Sequence, residues 1–215
     1  MSVFKVTLID YGLGNLLSVR RGLEYCGADV TVTSDVGQIR RSERVVLPGV
    51  GAFKVGMEYL ARLGIDTAIR ELAEENTPLL GICLGMQLLF SESEEFGLTN
   101  GLGLIHGRVV PISSLNLDSD PLKVPSIGWS GLQLAENHVQ WSETILRESP
   151  VGAEMYFVHS FMASPTDQNH RIADYFYAGN RVPAVVSREN VIGCQFHPEK
   201  SGKNGLNVLK QFLLL

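Results

Sequence analysis

A cysteine between two glycines is the first place in this sequence where chemistry could occur. Residues 81–85 read Gly-Ile-Cys-Leu-Gly and stand between a short apolar run and a helical pattern. A sharp strand-to-helix turn projects its central side chain out of a sheet, and flanking glycines remove the Cβ clashes of that turn. The N-terminus of the following helix favours a thiolate over a thiol. Cys83 is therefore predicted to be a nucleophile, with a buried core cysteine as the alternative.

A histidine and a glutamate two residues apart could serve this thiolate as a base and its orienting group. They occur in Gln-Phe-His-Pro-Glu at residues 195–199, directly after an apolar run. Pro198 biases His197 toward an extended conformation, in which His197 and Glu199 face the same side. One imidazole nitrogen can then face the sulfur while the other bonds to Glu199. A surface histidine before a helix is the alternative interpretation.

Attack by a thiolate on an acyl carbon creates an oxyanion, which backbone N–H groups must stabilise. Residues 48–51 read Pro-Gly-Val-Gly at the end of an apolar run. Gly49 and Gly51 would allow the N–H groups around Val50 to converge on one point. The N–H of Leu84, directly after the nucleophile, is the second donor expected. A plain strand-to-helix turn at residues 48–51 is the alternative.

The remaining cysteines and histidines are expected to be structural or without a role. Cys26 ends an amphipathic helical pattern and Cys194 lies on an apolar strand pattern, so both are predicted to pack in the core. No Cys or His spacing is typical of a metal site. His159 lies in an apolar run and is interpreted first as structural. No role is assigned to His106, His138 and His170.

Composition favours an ordinary globular protein. The chain has 215 residues, 45% of them hydrophobic, and a formal charge of -5. We expect a single domain over residues 1–215. The negative charge argues against a nucleic-acid partner. Residues 1–10 lack the pattern of a signal peptide, and the most apolar stretch, residues 78–90, is too short to span a bilayer. A cytoplasmic protein without a membrane segment is expected.

Alternating strand and helix patterns in the first half must position these groups. Strands are predicted at residues 4–10, 29–33, 45–47 and 79–82, with helices at 15–26, 53–63, 65–75 and 84–90. The second half predicts strands at 104–110, 154–161, 171–177, 184–187 and 191–196, a loop at 111–125 and a closing helix at 206–215. This order indicates an α/β fold with a doubly wound, mostly parallel sheet flanked by helices and an antiparallel C-terminal part.

Five motifs, in this order, resemble the class I (triad-type) glutamine amidotransferases. Within that class they are similar to the glutaminase subunits of imidazole glycerol phosphate synthase, and the early Gly-Leu-Gly-Asn and the Met-Gln after the cysteine motif favour this subfamily. The resemblance runs from end to end and implies a flavodoxin-like fold. The motifs occupy residues 10–16, 47–53, 81–87, 156–160 and 195–202.

The resemblance implies a reaction and a role for each matching residue. Cys83 would attack the side-chain amide of glutamine, giving a glutamyl thioester and ammonia, while His197 shuttles the proton and Glu199 orients it. The strand over residues 49–51 would complete the oxyanion hole. The glutamine would be held by Gln87, Glu95 and the backbone around Ser160 and Phe161.

The resemblance also implies a partner. This is a (β/α)8-barrel cyclase that forms a heterodimer with the chain, receives the ammonia, and makes imidazole glycerol phosphate and an aminoimidazole carboxamide ribotide in histidine biosynthesis. Asn15, Trp129 and Lys200 match positions at that interface. No metal or organic cofactor is implied.

One motif departs from the pattern and leaves alternatives open. Ser126 and Ser130 stand where the family usually has His and Asn, near the partner interface. A paralogous glutaminase that supplies another acceptor, such as a nucleotide-linked surface sugar, therefore remains an alternative. A silent regulatory subunit and a cysteine peptidase are further alternatives. The retained triad argues against a silent subunit. Gln87 and Glu95 suit a small amino acid rather than a peptide and so argue against a peptidase.

Overall fold

A computed structural model describes residues 4–112, 123–137 and 140–215. The strands that it shows there are β1 (Phe4–Ile9), β2 (Ala28–Thr33), β3 (Val45–Leu47), β4 (Leu79–Ile82), β5 (Phe90–Ser93), β6 (Thr99–Asn100), β7 (Ile105–Pro111), β8 (Ser126–Gly131), β9 (Gln133–Leu134), β10 (Glu154–His159), β11 (Phe161–Pro165), β12 (Arg171–Tyr177), β13 (Asn180–Arg188) and β14 (Val191–Cys194). The helices are α1 (Leu16–Tyr25), α2 (Val36–Ile39), α3 (Phe53–Leu63), α4 (Ile65–Glu74), α5 (Leu84–Leu88) and α6 (Gly202–Leu213).

An eight-stranded sheet carries the site. Its order is β2-β1-β3-β4-β14-β13-β12-β9. The strands from β2 to β14 pair in parallel, and those from β14 to β9 pair antiparallel. The predicted doubly wound sheet with an antiparallel C-terminal part is therefore confirmed. Beside it lie a four-stranded sheet, β11-β7-β5-β6, and the β10-β8 pair.

Helices cover both faces of the parallel strands. Successive side chains of a strand point to opposite faces, so the apolar residues of these strands pack against helices on both sides. On one face Val46 belongs to a buried cluster with Leu23 of α1 and Phe212 of α6. On the other face Leu47 packs in a cluster with Phe53 of α3 and residues of α4. This arrangement leaves the carboxyl ends of β3, β4 and β14 side by side at one edge.

Two predicted elements have different bounds in the structure. The helix predicted at residues 84–90 ends at Leu88, because Phe90 begins β5 and pairs with Ile105 of β7. The single strand predicted at residues 154–161 is two strands: β10 pairs with β8, whereas β11 pairs with β7. The chain changes sheets at Ser160, so that residue lies at a corner.

Most other predicted bounds hold to within a few residues. Gly64 separates α3 from α4 in the left-handed conformation, as expected for a helix break. The strand predicted at 191–196 ends at Cys194, and α6 begins at Gly202 rather than at residue 206. Most of the loop predicted at residues 111–125, and His138, lie outside the described residues. Within the described part of the chain, no helix is both long and apolar enough to cross a membrane.

Candidate active site

Cys83 occupies a strained turn between β4 and α5. Its φ of 54° and ψ of -108° lie in a region that residues other than glycine rarely adopt. A Cβ on Gly81 would lie 2.7 Å from backbone atoms of Gly85, and one on Gly85 would overlap the carbonyl oxygen of Leu47. The glycines are therefore required by close backbone approach, and the predicted turn is present.

Main-chain pairing brings the ends of β4 and β14 together at the sulfur. Ile82 is the register partner of Cys194, and the N–H of Cys83 donates to the carbonyl oxygen of Cys194 at 2.8 Å. His197 follows three residues after Cys194, so it lies beside Cys83 despite a sequence separation of more than a hundred residues. Cys83 itself is buried, with 7% of its surface exposed.

His197 and Glu199 form a buried pair behind the cysteine. Nδ1 of His197 lies 2.9 Å from Oε1 of Glu199. Since a carboxylate only accepts, Nδ1–H donates and Nε2 remains available. Nε2 is buried and makes no hydrogen bond to the described residues. The predicted contact is present, but its basis was wrong in part: Pro198–Lys200 is a 3₁₀ turn rather than extended chain.

The electrostatics of the pair favour a charged imidazole. Burial of the His197 ring lowers its pKa, but the attraction of Cys83 and of the hydrogen-bonded Glu199 outweighs burial and raises the pKa to about 9. An imidazolium between a thiolate and a carboxylate can give its proton to a leaving group. The same ring can take it back from water in the next step.

A cavity of about 350 Å³ opens onto these groups, a size that suits a small ligand. Its wall includes most of the residues that were predicted to act as nucleophile or base, to stabilise the oxyanion or to bind the substrate. Gly49 and Glu199 are not in its wall: Gly49 packs against Tyr11 and Leu84, and Glu199 lies behind His197. The lining residues are Val50, Gly51, Cys83, Leu84, Gln87, Glu95, Pro125, Val158, His159, Ser160, Phe161 and His197.

Gln87 and Glu95 also make contacts within the protein. Nε2 of Gln87 donates to the carbonyl oxygen of Phe161 at 3.0 Å and to Oε1 of Gln195 at 3.1 Å. Both N–H groups of the Gln87 amide are therefore occupied, and its oxygen is the group that remains to bind a ligand. Oε2 of Glu95 accepts from the N–H of Phe53 at 2.6 Å, and so caps α3, whose own N-cap residue makes no side-chain cap bond.

His159 lies in the cavity wall and is fully bonded, consistent with its structural interpretation. Nδ1 lies 2.7 Å from the carbonyl oxygen of Phe161, so it carries the proton. Nε2 must then accept from the hydroxyl of Tyr175, 2.8 Å away, and that hydroxyl oxygen accepts from Ser126 at 3.2 Å. Burial lowers the pKa of His159 to about 4, although its bond to Phe161 opposes this. The ring is therefore neutral near neutral pH.

Two residues next to the cavity, Ser126 and Gln195, were not predicted from the sequence to lie there. Ser126 is buried against Tyr175, so its side chain points into the protein rather than to the surface. On β8 it is the alternate residues, Ile127 and Trp129, that are exposed. The strand period of two could have indicated this, had residues 126–131 been interpreted as a strand.

The other cysteines lie where core packing was predicted. Cys194 is fully buried, and burial, followed by the charges of Glu199 and Cys83, raises its pKa. Cys26 is partly buried, and its thiol donates to the carbonyl oxygen of Leu206 at 3.4 Å. Neither sulfur lines the cavity.

Two of the three residues predicted at a partner interface, Trp129 and Lys200, lie beside the ring of Tyr156. Trp129 is 54% exposed and contacts the ring of Tyr156 edge-on, at 5.9 Å between centroids. Nζ of Lys200 lies 5.8 Å from the centroid of the same ring. Asn15 caps α1 by accepting from the N–H of Ser18.

Comparison with known proteins places this geometry in a family. Residues 7–215 match the family model described as glutamine amidotransferase class-I. The chain is 48% identical over 208 residues to the imidazole glycerol phosphate synthase subunit HisH 1 of Legionella pneumophila (strain Lens), covering 97% of this chain and 98% of that one. It is 43% identical to subunit HisH of Geobacillus thermodenitrificans (strain NG80-2), covering 97% and 94%.

Solved structures show the same fold at low sequence identity. The structure of PurLQS from Thermotoga maritima superposes with a TM-score of 0.72 at 21% identity, covering 99% of this chain and 98% of that one. Since the family match extends over nearly the whole sequence, and relatives above 40% identity cover it as fully, this chain belongs to the class I glutamine amidotransferases and is an enzyme of that kind.

Proposed function

We propose that the chain hydrolyses glutamine through a Cys83–His197–Glu199 triad and delivers the ammonia to a (β/α)8-barrel cyclase of histidine biosynthesis. The observation that carries the proposal is the meeting of Cys83 and the His197–Glu199 pair at the ends of adjacent strands, in one cavity. The relatives named as HisH subunits of imidazole glycerol phosphate synthase support the assignment of the acceptor.

The first half of the reaction forms a thioester. The thiolate of Cys83 attacks the side-chain amide carbon of glutamine, and the carbonyl oxygen becomes an oxyanion. His197 gives its Nε2 proton to the amide nitrogen, the C–N bond breaks, and ammonia leaves. Glu199 holds the Nδ1 proton throughout, so the imidazole keeps the orientation that its role requires.

The second half releases glutamate. Water donates a proton to His197 Nε2 and attacks the thioester carbon. The C–S bond then breaks, which restores the Cys83 thiolate and the imidazolium. The N–H of Leu84 and those around Val50 and Gly51, which line the cavity, would stabilise the oxyanion in both halves. Gln87, Glu95 and the backbone at Ser160 and Phe161 would hold the glutamine.

The partner surface is proposed around Trp129 and Lys200. Ile127 and Trp129 are exposed on one face of the β10-β8 pair, the face that also carries their register partners Val158, which lines the cavity, and Tyr156, whose ring lies beside Lys200. Exposed aromatic side chains of this kind are typical of protein interfaces. Ammonia released at Cys83 would leave toward a cyclase bound here.

A coupled assay tests both parts of the proposal. We expect slow glutamate release by the isolated chain and a rise of orders of magnitude when the cyclase of the same organism and its ribonucleotide are added. Glutamate and the aminoimidazole carboxamide ribotide should then form in equal amounts, and Lys200→Ala should weaken the stimulation. Glutamate release that no histidine-pathway cyclase stimulates would retain the glutaminase but favour the paralogue that serves another acceptor.

A further inference from the structure

The side-chain amide of Gln195 lies against the Cys83 sulfur, although it is not part of the proposed triad. Its Nε2 is 3.8 Å from Sγ of Cys83, within hydrogen-bonding reach of a sulfur acceptor. The side chain is completely buried. Solvent therefore cannot replace this donor if it is removed.

The surrounding hydrogen bonds determine which end of the Gln195 amide faces the sulfur. The carbonyl oxygen of Phe161 can only accept, so the NH₂ group of Gln87 must face it, at 3.0 Å. The same NH₂ group lies 3.1 Å from the Gln195 amide, which must present its oxygen there. The nitrogen of Gln195 is then left facing Cys83. His159, which donates to the same carbonyl oxygen, holds the Phe161 end of this series in place.

The other groups around the sulfur do not replace this N–H. The carbonyl oxygen of Val158, 3.9 Å away, can accept only from a thiol. Tyr11 donates its hydroxyl to the carbonyl oxygen of Pro48 at 2.9 Å. Among the described residues the Cys194 thiol makes no hydrogen bond to the Cys83 sulfur, and the Glu199 carboxylate, which only accepts, is bonded to His197. The donors that face a Cys83 thiolate from the described side chains are thus His197 and Gln195.

We propose that Gln195 is a positioning residue that donates its amide N–H to the Cys83 thiolate. The bond stabilises the ionised sulfur in a site from which water is excluded and holds it in one orientation for attack. His197 and Gln195 then have different roles. The imidazolium supplies a positive charge and a proton that it can transfer, whereas the amide donates a hydrogen bond and keeps its proton. The proposal rests on the proposed role of Cys83 as the nucleophile.

The pH dependence of Cys83 alkylation by iodoacetamide tests the proposal without requiring glutamine turnover. Peptide mass spectrometry distinguishes Cys83 from the other two cysteines. In Gln195→Leu we expect the midpoint of the Cys83 profile to move up by about one pH unit, the size of one charge-assisted hydrogen bond. Gln195→Met keeps the length of the side chain and removes the N–H donor, so its shift should be similar.

Gln211→Leu is the matched control. Gln211 is another buried glutamine, on α6, where it accepts from Arg147. Its replacement should leave the Cys83 profile unchanged. A folded Gln195→Leu protein with the wild-type profile would overturn the proposal and reduce Gln195 to a packing residue. If Gln195→Leu does not fold, an unshifted profile in Gln195→Met overturns it equally. Failure of the proposed function would instead appear as glutamine turnover that survives Cys83→Ala.

Discussion

The N–H of Cys83 donates to the carbonyl oxygen of Cys194 at 2.8 Å, and this bond joins the strand that ends at Cys83 to the strand that leads to His197. The relative position of the two proposed catalytic segments is therefore set by main-chain pairing of β4 with β14. Side-chain substitutions at Cys83 and His197 can accordingly test chemistry without separating the strands.

Cys83→Ala should remove glutamine-dependent turnover by a factor of at least about a thousand, because no thioester can form. Turnover of the proposed cyclase partner with added ammonia should persist, since Cys83 lies outside the proposed partner surface. Glutamate release and product formation would be measured in parallel. Cys26→Ala is the control and should retain full activity, because the Cys26 sulfur does not line the cavity. Glutamine turnover by Cys83→Ala at the wild-type rate is the contradicting outcome.

His197→Ala and Glu199→Ala should be strongly non-additive, because Glu199 acts only through the ring that it orients. We expect the histidine variant to lose nearly all activity and the glutamate variant to lose less. The double variant should resemble His197→Ala alone. Steady-state glutaminase rates of the three proteins provide the cycle. Multiplicative losses would show that the two residues act independently.

The pKa of His197 should be near 9 in an NMR titration of its ring, and Glu199→Gln should lower it. Because this folded-state value exceeds the unfolded value of about 6.5, the proton stabilises the folded state. That stabilisation is complete below about pH 6.5 and is lost as the pH rises through about 9. Urea unfolding at several pH values should show the loss, and His197→Ala should not. A His197 pKa at or below 6.5 would contradict the assignment.

Tyr175→Phe should destabilise the protein by about 1–3 kcal/mol, because it leaves Nε2 of His159 and the hydroxyl of Ser126 buried without their partner. Chemical denaturation measures the change in the free energy of unfolding. Tyr25→Phe, at a residue 80% exposed, is the control and should change stability by less than about 0.5 kcal/mol. Equal effects of the two substitutions would mean that the buried hydrogen bonds contribute nothing.

Those features of the site that depend on a few adjacent residues could be predicted from the sequence. The glycines around Cys83 predicted the turn, because close backbone approach to Gly85 leaves no space for a Cβ. The spacing of His197 and Glu199 in residues 195–199 predicted a base with its orienting group, and the parallel pairing of β4 with β14 brings them to Cys83. Tertiary contacts decided the rest. Phe90 left its predicted helix to pair with Ile105.

Gln195 shows what a single sequence cannot provide. Its neighbours Gln87 and Cys83 are more than a hundred residues away, and its amide is oriented only because Phe161 presents a carbonyl oxygen at the corner between β10 and β11. That corner was predicted as continuous strand. A buried polar side chain acquires its partners from the assembled fold, so no spacing in the sequence indicates them.

Covalent labelling with an electrophilic glutamine analogue, followed by peptide mass spectrometry, tests the assignment of Cys83 as the nucleophile most directly. We expect one adduct per chain, on the peptide that contains Cys83, and loss of labelling when excess glutamine competes. Cys26 and Cys194 should remain unmodified, and His197→Ala should label far more slowly. An adduct on Cys26 or Cys194, or undiminished labelling of Cys83→Ala, would contradict the assignment of Cys83 as the residue that attacks glutamine.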